Sequence, residues 1–409
     1  MVKLNPAQQE AVRHLEGPLL VLAGAGSGKT RVITHKIAYL VDEYGIAPSH
    51  IAAITFTNKA AKEMKERVGK LVGGRAEGLI VSTFHALGVR ILRQEAAAVG
   101  LKPGFSILDA ADTTALFQEL AGSIDKGRLH ALQSRISFWK NALVDPQAAS
   151  NEAADESEAV AARLYADYQR TLRAYQAVDF DDLIRLPVML LTEHEALAQR
   201  WRSRLWHLLV DEYQDTNRGQ YRLLQLLTQG RDSFTAVGDD DQSIYAWRGA
   251  DSENLRLLKD DYPKLKVVKL EQNYRSTSRI LQAANTLIAN NPKLFEKKLW
   301  SEHGQGDAIH VQTCRDGDHE AQWVGSRLSA HRFERRTKFS DYAVLYRGNH
   351  QARLIEQQLR AQRIPYVISG GQSFFDRSEI KDITCYLRLL ANPDDDPAFI
   401  RAVTTPKRG

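Results

Sequence analysis

Five apolar residues, LLVLA (19 to 23), run directly into AGAGSGKT (23 to 30), and a helical pattern follows. Strand, glycine-rich turn and helix, in that order, make the context in which a backbone can cradle phosphate groups. Gly24, Gly26 and Gly28 let successive N–H groups turn inward around phosphate oxygens. The loop from Ala23 through Ala25 and Ser27 to Arg31 would then surround a nucleotide. Lys29 would reach its β- and γ-phosphates, the Thr30 hydroxyl would ligate Mg²⁺, and the helix start would add a favourable dipole. Ala23 stands where the GxxxxGK[ST] pattern has its first glycine, so the loop is a variant of that pattern. The cofactors expected are ATP and Mg²⁺.

Further short β-rich runs occur at IAAITF (51 to 56), LIVSTF (79 to 84), HLLVDE (207 to 212), FTAVGD (234 to 239) and LKVVKL (265 to 270), most of them followed by helical segments. Strands alternating with helices imply a parallel α/β sheet covered on both faces. Residues 85 to 206 carry no comparable strand signal, whereas Val160, Leu164, Tyr168, Leu172 and Tyr175 repeat at helical spacing. That stretch reads as a helical subdomain inserted into the α/β domain, with the acidic Asn151 to Glu158 segment as an exposed loop or helix start. After Lys269 the pattern resets: a helix over Ser278 to Ala289, strands at IHVQTC (309 to 314), DYAVLYR (341 to 347) and YVI (366 to 368), then a helix over Glu379 to Leu390.

Composition adds limits rather than identity. The chain has 409 residues, enough for two or three domains, and 55 Lys and Arg against 50 Asp and Glu leave a charge of +5, compatible with a polyanionic partner without requiring one. Cys314 and Cys385 have no Cys or His at metal-ligand spacing, so both read as plain buried thiols of a reducing compartment. No apolar stretch is long enough to span a membrane, and the N-terminus lacks an apolar signal core. A soluble, cytoplasmic protein is expected.

HLLVDE ends a strand in adjacent carboxylates, which places Asp211 beside a magnesium ion and Glu212 toward an attacking water, with Glu212 as general base. Seven motifs then stand in one order: LNPAQQ (4 to 9), AGAGSGKT, TFTNKAA (55 to 61), STFH (82 to 85), VDEYQD (210 to 215), VGDDDQSIYAWRGA (237 to 250) and QNYRS (272 to 276). In these motifs, over essentially its whole length, the sequence resembles the superfamily one DNA helicases of the UvrD/Rep/PcrA type. The resemblance implies two RecA-like domains flanking an ATP site, a helical insert in each, and 3′ to 5′ movement on single-stranded DNA. It also implies action at duplex junctions in replication restart or repair, possible accessory proteins, no membrane partner, and a monomer or weak dimer.

Carried over residue by residue, Gln8 resembles the glutamine that reads the adenine edge, Tyr274 the aromatic that stacks on adenine, and Arg275 the arginine that reaches the γ-phosphate. Gln242 resembles the sensor that passes the state of the γ-phosphate to the DNA groove. Tyr245, Trp247 and Arg248 follow closely, and such aromatics beside a cation suit sequence-tolerant binding of a single strand. Phe56, Thr57 and Asn58 end the second strand, and Thr83 and His85 follow the third, where open α/β sheets bind ligands. Phe180, in VDFDDLI, resembles an aromatic of the insert that packs on a base, although DFDD could equally cap a helix.

The domain limits expected are 1–85 with 196–275 for the first RecA-like domain, 86–195 for the insert, 276–373 for the first part of a second RecA-like domain, and 374–409 for the start of a second insert. The family's later motifs lie beyond residue 409, so the chain is expected to be the N-terminal portion only, binding ATP and DNA but turning over poorly. Beside the helicase stand two alternatives: the motor part of a helicase-nuclease, and a non-catalytic DNA-binding module.

Overall fold

The computed structural model describes residues 4–246, 249–251, 253–369 and 377–405. The strands β1 (Leu19–Ala23), β2 (Ile51–Thr55), β3 (Ile80–Thr83), β4 (Ser106–Ile107), β5 (Ala177–Val178), β6 (His207–Val210), β7 (Phe234–Gly238) and β8 (Lys266–Leu270) follow one another along the chain. Six of them form one sheet in the order β3-β2-β6-β7-β1-β8. Every pairing in it is parallel, so all six carboxyl ends lie along one edge. HLLV therefore joins the first sheet between β2 and β7, as the reading of an insert requires.

The inner strands β1, β2, β6 and β7 are buried on both faces, which is why they read as largely apolar runs. Side chains alternate between two cores: Leu20, Leu22, Ile54, Leu208 and Val210 face one, and Leu19, Val21, Ala53, Leu209 and Val237 face the other. Helices α1 (Pro6–Arg13), α2 (Lys29–Asp42) and α3 (Asn58–Val72) cover the second face. Helix α4 (Phe84–Glu95) covers the first, together with α9 (Asp182–Glu193), α10 (Glu195–Arg204), α11 (Arg218–Thr228) and α12 (Glu253–Asp261).

Between α4 and α9 stand α5 (Ala110–Ala121), α6 (Lys126–Asn141), α7 (Pro146–Asn151) and α8 (Glu156–Ala174), with the short β4-β5 pair. They enclose their own core, in which Phe117 stacks on Tyr168. The expected insert, 86–195, is thus helical, but α4 and α9 at its ends belong to the core beneath the sheet. Gly88 on α4 lies so close to α9 that a Cβ there would sit 1.8 Å from the Leu183 carbonyl oxygen. The buried Lys140 ammonium binds Asp179 Oδ2 at 2.6 Å and Asp182 Oδ2 at 2.9 Å, tying α6 to the DFDD turn.

The chain divides into two compact units, Met1–Asp307 with Asp394–Pro397, and Ala308–Pro393 with Ala398–Gly409. The division falls later than the expected limit at 276, because α13 (Ser278–Ile288) and the segment after it remain hydrogen-bonded beside β8. In the second unit α14 (Gly317–Arg335) packs on α15 (Asn349–Ala361). Helices α16 (Ser378–Ala391) and α17 (Asp396–Thr404) follow.

The strands expected at 309–314, 341–347 and 366–368 are corrected: among the described residues none of them is hydrogen-bonded into a sheet. Val311, Leu345 and Val367 are more than nine-tenths exposed. An alternating apolar pattern favours an extended backbone, but a strand also needs a neighbour's N–H and C=O groups alongside it. Cys385 is buried as expected, whereas Cys314 is only half-buried. Among the described residues no helix is long and apolar enough to cross a membrane.

Candidate nucleotide and DNA site

The loop after β1 turns through Gly26 (φ +71°) and Gly28 (φ +91°), left-handed conformations that glycine adopts without strain. A Cβ on Gly26 would lie 2.6 Å from Asn273 Nδ2, and one on Gly28 2.8 Å from Gln8 Nε2, so both positions also need glycine for space. Helix α2 begins at Lys29 with no side chain capping its first turn. Its uncapped first-turn N–H groups are the kind of donors that bind an anion, while the Ser27 N–H closes the loop on the Gly24 carbonyl at 3.2 Å.

Helix α1 brings Gln8 to this loop. Gln8 is fully buried, donates from Nε2 to the Ser27 carbonyl at 2.9 Å, and accepts from the Asn5 N–H at 3.1 Å. Both ends of its amide thus serve a helix cap and the loop wall. Asn5 Nδ2 in turn donates to the Tyr274 hydroxyl at 2.8 Å, and Arg31 lies 5.6 Å from the Tyr274 ring centre. Gln8, Arg31 and Tyr274 therefore form one corner beside Ser27. Lys36 anchors α1 by donating to the Ala11 carbonyl at 3.0 Å, and burial pushes its ammonium down to about 7.

Across the sheet edge, Lys29 Nζ sits 2.6 Å from Glu212 Oε2. Glu212, two residues after β6, adopts a left-handed backbone (φ 49°). Asp211 is buried, and burial followed by the adjacent Glu212 charge pushes its carboxyl up to about 7. Asp215 is raised to about 6 by burial and then by Glu212, and its Oδ1 is buried without a hydrogen-bond partner. Asp211 and Asp215 lie within electrostatic reach of Lys29, and Asp211 and the Thr30 hydroxyl are the oxygen groups that would hold a hard divalent cation here. Mg²⁺ held there would draw charge from phosphate oxygens; Glu212 would orient and deprotonate water, and Lys29 would hold phosphate.

Arg275 belongs to the same locality: its Cβ would be 2.8 Å from a Cβ on Gly26, and Tyr274 N–H donates to the Gly26 carbonyl at 2.9 Å. Gln242 follows β7 and donates from Nε2 to Asp239. Gln214 was not singled out in the sequence, yet it joins the two strand ends. Its Nε2 donates to Glu212 Oε2 at 2.9 Å, and its Oε1 accepts from the Asp239 N–H at 3.0 Å. The signal was its place two residues after Glu212 in VDEYQD.

Apart from Phe180, which follows β5, the residues expected to touch DNA lie at or just after the carboxyl ends of β2, β3 and β7. Phe56 is half-buried, Thr57 and Asn58 are exposed, and Tyr245 is half-buried. Thr57 and Thr83 are engaged as N-caps, accepting from Ala60 N–H at 3.1 Å and Ala86 N–H at 3.2 Å. His85, kept neutral-leaning by burial, meets the Phe180 ring edge-on at 5.8 Å between centres. Phe180 is 53% exposed, while its neighbours Asp179 and Asp182 turn inward to Lys140 and Asp179 Oδ1 accepts from the Asp182 N–H at 2.9 Å, as a helix cap does. Trp247 and Arg248 lie outside the described residues.

The family model described as UvrD/REP helicase N-terminal domain matches residues 4–263, and that of the UvrD-like helicase C-terminal domain matches 268–409. The expectation of an N-terminal portion only is therefore corrected, since both domain types are represented. The chain is 56% identical to ATP-dependent DNA helicase Rep of Escherichia coli K12, over all of this chain and 61% of that protein. It is 44% identical to Rep of Buchnera aphidicola from Acyrthosiphon pisum, over all of this chain and 64% of that protein. It is 46% identical to ATP-dependent DNA helicase PcrA of Bacillus subtilis 168, over 99% of this chain and 56% of that protein. The chain thus spans about three-fifths of the length of these relatives. With a phosphate loop, an acidic pair and an aromatic, polar edge on one parallel sheet, the chain belongs to the UvrD/Rep helicase family.

Proposed function

We propose that this chain is the ATP-driven motor of a DNA helicase that moves 3′ to 5′ along single-stranded DNA and opens duplex junctions in replication restart or repair. The observation that carries the reading is the Lys29–Glu212 pair, which brings the phosphate loop and the acidic strand end together across the sheet edge. Lys29, Asp211, Glu212, Gln242 and Arg275 act on ATP with Mg²⁺ at Thr30 and Asp211; Gln8, Arg31 and Tyr274 hold the base. Phe56, Thr57, Asn58, Thr83, His85, Phe180, Tyr245, Trp247 and Arg248 form the track for the strand. The names of the Rep and PcrA relatives support the ATP and DNA parts of this reading. Direction and biological role rest on the family resemblance.

The test is ATP hydrolysis with and without single-stranded DNA, followed by unwinding of duplexes with a 3′ or a 5′ tail. DNA-stimulated hydrolysis lost in Lys29→Ala, with unwinding only from 3′ tails, is expected. Hydrolysis indifferent to DNA refutes the motor, and unwinding from 5′ tails refutes the direction.

A further inference from the structure

Asp239, Asp240 and Asp241 stand together at the end of β7, with carboxylate oxygens within 4.8 Å of one another. Three acids so close would ordinarily call for a metal ion. Here the place is taken by Lys297, from the irregular segment after α13. Its Nζ lies 2.6 Å from Asp239 Oδ1 and 2.9 Å from Asp241 Oδ2, and it also binds Asp240. The Lys297 side chain is only 4% exposed, and the three carboxylates hold its ammonium well above the ordinary lysine value against the opposing effect of burial. Asp240 Oδ2 further accepts from the Phe295 N–H at 3.3 Å, so backbone and side chain grip one turn.

That turn carries Gln242, whose amide donates to the same Asp239 that Lys297 binds. From Asp239 the connection runs inward. The Asp239 N–H meets Gln214 Oε1 at 3.0 Å, Gln214 Nε2 meets Glu212 Oε2 at 2.9 Å, and Glu212 meets Lys29 at 2.6 Å. Two residues past Lys297, Leu299 packs on the phosphate loop, where a Cβ on Gly24 would lie 2.2 Å from Leu299 Cδ2. Asn273 N–H bonds the Trp300 carbonyl at 2.8 Å. The segment thus spans the sensor turn, the phosphate loop and the QNYR stretch.

We infer that Lys297 is a positioning residue for ATP hydrolysis: a built-in cation that fixes the Asp239–Gln242 turn and, through Gln214, the angle of the Glu212 carboxylate. This rests on the hydrolytic reading above. The ion-pair partners of Lys297 are Asp239, Asp240 and Asp241, so its loss should alter turnover rather than nucleotide capture.

The experiment compares wild type with Lys297→Met and with Lys297→Met/Asp240→Asn, which removes one charge of each sign and keeps the fold where the single change does not. Expected is a loss of DNA-stimulated kcat of about tenfold or more, as for a misaligned general base, with KM for ATP within about twofold. Wild-type kcat in either folded variant, or a rise in KM matching the fall in kcat, overturns the inference. An inactive wild type refutes the hydrolytic reading instead, and a second measurement then decides on Lys297. In nucleotide-free protein, Mn²⁺ should raise the Tm of Lys297→Met more than that of wild type, because the emptied aspartates accept it. Equal shifts would mean that Lys297 is not the cation of that cluster.

Discussion

The Lys29 ammonium and the Glu212 carboxylate, 183 residues apart in sequence, are 2.6 Å apart in space. Lys29 opens α2 and Glu212 follows β6 by two residues, and the parallel sheet brings both to its carboxyl edge. Because Lys29 sits at the end of a helix and Glu212 in the short turn leaving a buried strand, little freedom is left to lose when phosphate and water enter between them.

Removing the carboxylate charge should separate binding from turnover. Glu212→Gln is expected to lower ATP turnover by roughly 10²–10⁴, the usual contribution of a positioned base, while nucleotide affinity stays within about twofold. Steady-state hydrolysis and titration with a fluorescent nucleotide check both halves. An affinity loss equal to the turnover loss would assign Glu212 to binding.

Gly26→Ala and Gly28→Ala should damage the loop itself. Each forces a left-handed backbone on a residue with a Cβ, costing about 1–2 kcal/mol, and each sets that Cβ against Asn273 or Gln8. Urea unfolding should show the stability loss, and nucleotide titration a weakened site.

Lys140→Met should be among the most destabilising single changes in the helical insert. It strands Asp179 without a counter-charge and leaves Asp182 only Arg185, at 3.6 Å, in a site where Lys140 itself is fully buried. Removing one partner of such a group costs about 3–5 kcal/mol. Lys140→Met/Asp179→Asn should recover part of it, which chemical denaturation of the whole chain will read.

Phe180→Ala should leave stability nearly unchanged, since the ring is 53% exposed. Single-strand affinity should fall by about 1–3 kcal/mol if a base stacks there. Fluorescence anisotropy with a labelled oligonucleotide measures it, and unchanged affinity would remove Phe180 from the DNA track.

Acid should weaken the fold through His207. Its ring is buried between Ser233 Oγ at 2.7 Å and Thr235 Oγ1 at 3.1 Å. Burial, and then the charges of Lys36 and His14, push it down to about 3. The unfolded chain takes up this proton near the ordinary histidine value, whereas the folded chain refuses it. The stabilisation is therefore fully present above about pH 6.5 and is lost as pH falls from there through about 3, at about 1.4 kcal/mol per pH unit. Denaturation midpoints of wild type and His207→Gln across that range should converge as pH drops.

The sequence by itself determined the sheet and marked the phosphate-loop motif. Apolar runs such as LLVLA and HLLV are buried on both faces, and that burial is what makes them recognisable as parallel strands. The spacing of Gly24, Gly26, Gly28, Lys29 and Thr30 is local chemistry, legible without a fold. Tertiary structure alone decided what joins these pieces. Nothing in FEKKLW marks Lys297 as the partner of aspartates more than fifty residues earlier, and nothing in VDEYQD shows that Gln214 bridges Glu212 to the next strand end. Nor could alternating apolar residues at 309–314 or 341–347 reveal whether a strand lies beside them. Ladders and ion clusters depend on which distant backbone and side chains arrive at hydrogen-bonding distance, whereas periodicity and short-range spacing report only on neighbours along the chain.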